Sequence, residues 1–156
     1  DILDEMRTAK LQIPGTRAKD ESALLVIDAL KHRREDFEEE ATRRLAFFMA
    51  ESITSDLLTQ QRGVTILINL ADLEFVDSDY RFPKSVVDLL QDRVPCAVKN
   101  ILLFRPPWFI DIPVKIVRPV LKPKMRDRIR LIYKEEELLE LIDTEALPTV
   151  FGGKFA

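Results

Sequence analysis

The sequence predicts an α/β domain with a mostly parallel central sheet of about five strands flanked by helices. Three observations carry that prediction. Short apolar runs at Ala23 to Ala29, Val64 to Leu70 and Val98 to Phe104 have the length and β-branched content of strands buried on both faces. Segments of helical periodicity, Asp36 to about Gln61 and Phe82 to Arg93, lie between them. Breakers mark the junctions: Gly63, Pro95 and Arg105-Pro106-Pro107.

Taken in order, residues 1–10 form a short charged lead-in, with one helical turn expected around Ile2, Leu3 and Met6. Residues 11–156 form a single domain. Leu11-Gln12-Ile13 alternates and suits an edge strand, closed by a turn at Pro14-Gly15. After the strand at Ala23 to Ala29, Lys31-His32-Arg33-Arg34 reads as a solvated linker. The long helix from Asp36 to Gln61 has a capping box in Asp36 and Glu39. Its acidic first turn suits the helix dipole, and its inward stripe is Phe37, Ala41, Leu45, Met49, Ile53 and Leu57, with Phe48 beside it. Gly63 stands in the usual stop position. Ala71 to Asp79 is an acid-rich loop. The helix from Phe82 to Arg93 has Pro83 near its start and turns Phe82, Val86, Leu89 and Leu90 inward.

The most informative stretch is Ala97 to Tyr133, a strand, an apolar helix and a second strand at Arg128 to Tyr133. Trp108, Ile112, Ile116 and Val120 fall four apart, and Phe109, Pro113, Val117 and Leu121 form the adjoining row. Two adjoining apolar rows are wider than one sheet contact needs. Either the row is simply core, or it covers something extra, and an acyl chain would complete it. Lys115, Arg118, Lys122 and Arg126 recur at three- and four-residue spacing on another side. A short helix from Glu135 to Ile142 and the run Leu147 to Gly153 close the domain.

The totals narrow the function. With 156 residues there is enough chain for one real core. A formal net charge of −3 argues against nucleic acid as the main partner. No apolar run reaches the roughly 20 residues of a membrane span. The chain starts at Asp1 without Met, as expected of a domain excised from a longer protein. Cys96 stands alone, so a reducing, cytoplasmic setting is expected. Nothing supports an enzyme. His32, the only histidine, reads as a surface residue, and one His with one Cys does not make a zinc site. Cys96 reads as a buried free thiol rather than a nucleophile. Asp72, Glu74, Asp77 and Asp79 lack the spacing and glycine of a calcium loop. No phosphate-cradling glycine loop is present. No catalytic residue and no metal ligand is assigned.

Several pieces of the second half agree in order and spacing with one family. They are Gly63-Val64-Thr65-Ile66-Leu67-Ile68, then Pro95 before Lys99-Asn100-Ile101-Leu102-Leu103, then Pro106 with Trp108-Phe109 and Ile116-Val117-Arg118-Pro119-Val120-Leu121, and last Leu147-Pro148 with Gly152-Gly153. Together they resemble the CRAL-TRIO lipid-binding domains, which include retinaldehyde-binding, tocopherol-transfer and yeast phosphatidylinositol-transfer proteins. The resemblance runs from Gly63 to Gly153 and more weakly back to Leu24. Asn69 departs from the Asp common in the family strand, and Phe104 or Arg105 from the Asn that often precedes the following Pro. Only residues 1–10 stand where family members usually carry a helical segment. That segment is expected to have been trimmed, lost or replaced by a partner chain.

The resemblance implies a CRAL-TRIO-like fold and non-catalytic binding or exchange of a hydrophobic lipid, a phospholipid or phosphoinositide, in a pocket closed by a mobile gate at Asp111 to Arg126. Pocket candidates are Leu67, Asn69 and Leu103 on the sheet and Trp108, Phe109, Ile112, Ile116, Val117 and Val120 on the gate. Headgroup or membrane candidates are Lys115, Arg118, Lys122, Lys124 and Arg126, each worth about 1 kcal/mol near an anionic surface. Pro119 should weaken the gate. A lipid is the only ligand implied, with no cofactor, and the expected setting is peripheral to membranes. The alternative is a protein-interaction or self-association module that regulates a Rho-family small GTPase or an attached signalling domain, or that pairs with a second copy. A third fold, of the anti-sigma-antagonist type with a phosphorylated Ser or Thr near Ser78, suits Leu67 to Asp79 but not Trp108 to Leu121 or the Gly152-Gly153 ending.

Overall fold

The computed structural model describes the chain apart from residues 1, 36, 78, 80 and 95, and apart from the side chains of residues 83, 90, 92 and 93. Five strands form one sheet in the order β1-β2-β3-β4-β5. They are β1 (Leu11–Gln12), β2 (Ala23–Asp28), β3 (Val64–Asn69), β4 (Val98–Phe104) and β5 (Ile129–Ile132). β1 pairs antiparallel with β2, Leu11 opposite Ile27. All later pairings are parallel, with Leu25 opposite Ile66 and Ile66 opposite Ile101. β2 and β3 are buried along their whole length, which is why they read as unbroken apolar runs.

The helices are α1 (Ile2–Arg7), α2 (Glu39–Thr54), α3 (Leu57–Arg62), α4 (Arg81–Arg93), α5 (Asp111–Val117), α6 (Pro123–Arg126) and α7 (Glu135–Leu139). From β2 to β5 the strands are laid down side by side in one direction. Right-handed crossovers then put every connection on the same face of the sheet. Accordingly α2, α4 and the segment that follows β4 share one core with Leu25, Ile27, Ile66, Ile68, Ile101 and Leu103. The opposite face, Leu24, Val26, Leu67, Leu102, Phe104 and Ile132, is covered by Leu138, Ile142, Leu147 and Phe151 from the end of the chain.

Several expectations change. The long helix is two, because Ser55 ends α2 and Asp56 starts α3. The Asp56 carboxylate accepts from the backbone N–H of Leu58 and Thr59. The Thr59 hydroxyl bond and these backbone bonds hold its pKa below the ordinary carboxylate value against a smaller opposing effect of burial. The break rotates Leu57 into solvent, and Phe48 is also exposed. The capping box at Asp36 lies outside the described residues. Glu38 stands at the N-cap of α2 and makes no side-chain cap bond. α7 ends at Leu139, short of Ile142.

The expected apolar helix from Trp108 to Leu121 is also much shorter. Residues 105–128 carry five prolines: Pro106, Pro107, Pro113, Pro119 and Pro123. Pro119 has no N–H to donate to Lys115, so the α-helical ladder stops. Only the seven residues of α5 are helical, followed by a tight turn at Arg118–Val120 and the single turn of α6. An isolated helix of two turns is marginal by itself, and α5 has no side-chain cap.

Gly63 and Gly153 are required by close packing. Gly63 ends α3 at φ +84°, and a Cβ there would overlap the carbonyl oxygen of Ala97. A Cβ on Gly153 would overlap the carbonyl oxygen of Leu147.

Candidate functional site

The third crossover is too short in helix and too rich in proline to cover its share of the sheet. A cavity of about 110 Å³ remains between them. Its floor is Ile27, Ile68, Ile101 and Leu103, and its roof is Phe109, Pro113, Val114, Val117 and Leu121. Phe82, Leu73, His32 and Asp79 close one end. The walls are almost wholly apolar. An unfilled space of this size costs about 2–3 kcal/mol against a filled one, at roughly 24 cal/mol per Å³.

The structure separates the sequence-predicted residues into three groups. Leu103, Phe109 and Val117 line the cavity. Leu67 and Asn69 do not, because alternate residues of a strand face opposite ways. Leu67 packs on the far side with the C-terminal cluster. Asn69 is buried and engaged at the strand ends: its amide donates to Asp28 Oδ1 at 3.4 Å, and its oxygen accepts from Ala71 N–H at 3.2 Å. Ile112, Ile116 and Val120 point outward and are about half exposed, and Trp108 is 84% exposed. Of the two apolar rows, only Phe109-Pro113-Val117-Leu121 covers the sheet. The row that includes Trp108 is therefore neither core nor cavity lining.

Trp108 does not stand alone. It stacks on Phe75, with ring centroids 6.2 Å apart, and meets Phe109 edge-on at 5.5 Å. Phe75 also meets Phe109 edge-on at 5.3 Å. Phe109 is buried, so the cluster runs from the cavity roof to solvent. All five basic candidates are exposed. Lys122 Nζ donates to the carbonyl of Gln91 at 3.2 Å, and Arg126 Nε to that of Leu121 at 3.0 Å. Those two brace the C-terminal end of the segment that follows α5.

His32 is a correction. It is not a surface residue: its side chain is 3% exposed. Nε2 lies 2.9 Å from Asp79 Oδ2, and the ring stacks on Phe82 at 4.9 Å and 10°. Asp79, expected in a solvated acidic loop, is drawn inward with it. Burial pushes the Asp79 carboxyl up, but hydrogen bonds from Arg81 and His32 outweigh that and hold its pKa at about 2. Asp72, Glu74 and Asp77 stay exposed. No local pattern could have announced the His32–Asp79 pair, whose members lie 47 residues apart with charged neighbours around His32. Lys10, Ile110 and Val114 were missed as well. Lys10 lies over the Phe82 ring at 5.0 Å, Ile110 packs in the core beneath the roof, and Val114 is part of the roof itself. Cys96 is partly buried, and burial raises its pKa, away from the reactive thiolate.

A parallel sheet with an apolar cavity under a short, proline-interrupted helix defines an α/β ligand-binding module. A family model described as CRAL/TRIO domain matches residues 7–153. The chain belongs to the CRAL/TRIO domain family, a family of lipid-binding domains that are generally non-catalytic. It is 30% identical over 114 residues to Clavesin-2 of rat and human, covering 70% of this chain and 35% of that protein. It is 22% identical over 152 residues to human tyrosine-protein phosphatase non-receptor type 9, covering 97% of this chain and 26% of that protein. The chain thus spans about a quarter to a third of the curated relatives it matches. The solved structure described as "Crystal structure of Sfh5" superposes with a TM-score of 0.69 at 15% identity, over 92% of this chain and 53% of that one, and shows the shared fold. Among the described residues no helix is long and apolar enough to cross a membrane.

Proposed function

We propose that this domain binds and exchanges a lipid without catalysis, holding an apolar body between the sheet and α5. The carrying observation is the apolar cavity roofed by a two-turn helix that has no side-chain cap. At about 110 Å³ it is smaller than the roughly 300 Å³ at which pockets for drug-sized ligands begin. Entry of a lipid therefore requires α5 to swing out, and its two turns and interrupting prolines make that motion cheap.

The outward row of the gate gives the docking half of the cycle. Trp108, Phe75, Ile112, Ile116 and Val120 are exposed beside Lys115, Arg118 and Lys124. An apolar face with a basic edge matches an anionic bilayer, so phospholipid or phosphoinositide headgroups are met at the membrane surface, peripherally.

The test loads the purified chain from phosphatidylcholine vesicles and reads bound lipid by native mass spectrometry. Co-purifying or loadable lipid in one-to-one ratio is expected. A chain that stays empty overturns the reading. A second reading, contact with a small GTPase or a second copy, is favoured by Phe47 and Phe48, exposed side by side on α2. A concentration-dependent dimer by light scattering that disappears in Phe47→Ser/Phe48→Ser would support it.

A further inference from the structure

The buried pair at the end of the cavity has a vacancy in its hydrogen bonding. Asp79 is ionised and can only accept, so the hydrogen between it and His32 sits on Nε2. In the neutral imidazole Nδ1 then presents a bare lone pair. That nitrogen is buried and has no hydrogen-bond partner among the described residues. The ring cannot readily turn to relieve it. It is held by Asp79, by the Phe82 stack and by the edge of Phe37 at 5.8 Å.

The position of the vacancy matters as much as its chemistry. Beside the apolar cavity lies a second recess, of about 300 Å³, whose walls include Arg33, Glu35 and Asp77. His32, Ala29, Leu73 and Asp77 line both spaces. His32 thus marks the point where an apolar interior changes to a polar opening. An amphipathic molecule lying in the cavity would place its polar end there. With the imidazole neutral, the groups at that point are acceptors, His32 Nδ1 and the Asp77 carboxylate, and Glu35 and Arg33 stand in the recess wall. A phosphate would meet like charge, whereas a donor would be satisfied.

We infer that the cavity's ligand is a lipid whose polar end is a hydroxyl, donated to His32 Nδ1 at the junction of the apolar cavity and the polar recess. This rests on the lipid-binding reading and names the ligand class for it. Anionic headgroups then belong to the outer basic edge of the gate, and a hydroxyl-ended lipid to the interior.

Because His32 is the only histidine, the imidazole ¹⁵N spectrum of the labelled chain reports a single ring. Titration with 1-decanol, decane and decanoate, read by that spectrum and by calorimetry, tests the assignment. The expected result is 1-decanol binding about tenfold more tightly than decane, with the Nδ1 resonance moving and Nε2 held. His32→Phe, which keeps an aromatic ring against Phe82, should erase the preference while decane still binds. Decanol and decane binding alike with Nδ1 unmoved would overturn the inference and leave the lipid cavity standing. Tighter binding of decanoate than decanol would overturn the hydroxyl assignment. Failure of all three probes to bind would overturn both the inference and the lipid reading. The wild-type spectrum keeps the test decisive should the variant not fold.

Discussion

Phe75 and Trp108 stack with their planes 21° from parallel, yet Phe75 is 55% and Trp108 84% exposed. Two large rings held together in solvent bury little of their own surface. On the proposed reading the pair docks at a bilayer interface, where amphipathic aromatics are favoured. Trp108 is the only tryptophan, so its fluorescence reports that event directly. Anionic vesicles should shift its emission to the blue. Phe75→Ser with Trp108→Ser should leave thermal stability within about 0.5 kcal/mol per site and strongly reduce vesicle partitioning by flotation. Unchanged partitioning would remove these rings from the docking surface.

The basic edge should behave as an electrostatic surface. Lys115→Glu, Arg118→Glu and Lys124→Glu should each weaken binding to phosphatidylserine vesicles by at least about 1 kcal/mol. The differences should fade as salt rises and the Debye length falls from about 10 Å at 0.1 M to about 3 Å at 1 M. Neutral vesicles should show little effect of the same changes.

The two sheet faces should separate cleanly in a loading assay. Val114→Phe places a ring into the space beneath α5, so lipid loading should fall while folding stability is held or raised. Leu67→Met, on the opposite face, should cost under about 1.5 kcal/mol and leave loading intact. Loss of loading in Leu67→Met would put the ligand on the wrong side of the sheet.

Asp79 gives a pH signature. Its folded pKa of about 2 lies below the ordinary 3.8, so its stabilisation is present above about pH 4 and is lost as the pH falls through about 2. Asp79→Ala leaves the buried His32 Nε2–H unpaired and should cost about 2 kcal/mol at pH 7. The gap to wild type, measured by urea denaturation, should narrow between pH 4 and pH 2. A gap independent of pH would mean that ionised Asp79 does not carry the stabilisation.

The closing turn tolerates no side chain. Gly153→Ala must displace the Leu147 carbonyl, and Leu147 belongs to the cluster on the far face of the sheet. A loss of about 2 kcal/mol or more is expected in thermal melts, with Gly15→Ala as a comparison where an added Cβ would meet open space.

What could be read from sequence was what short-range physics dictates. β2, β3 and the second half of β4, Ile101 to Phe104, were legible because a strand buried on both faces is apolar. The parallel order followed from helices standing between strands. The crossover after β4 was legible as unusual, since five prolines and two apolar rows sit in it. Local pattern could not say which row turned inward. That choice depends on where Pro119 ends the helix and on which face of β4 the crossover returns to, and it put Phe109 and Val117 in the roof and Trp108 in solvent. Nor could it assign Leu67 and Asn69 to a face, since a strand buried on both sides carries no alternation to read. His32 shows the limit most plainly. Its neighbours Lys31, Arg33 and Arg34 speak for solvent, and only the return of the chain 47 residues later brings Asp79 to meet it. Sequence alone determined the layers and the weak helix. Tertiary structure decided the cavity, its polar end and its outer face, because each depends on groups that the chain brings together only by folding.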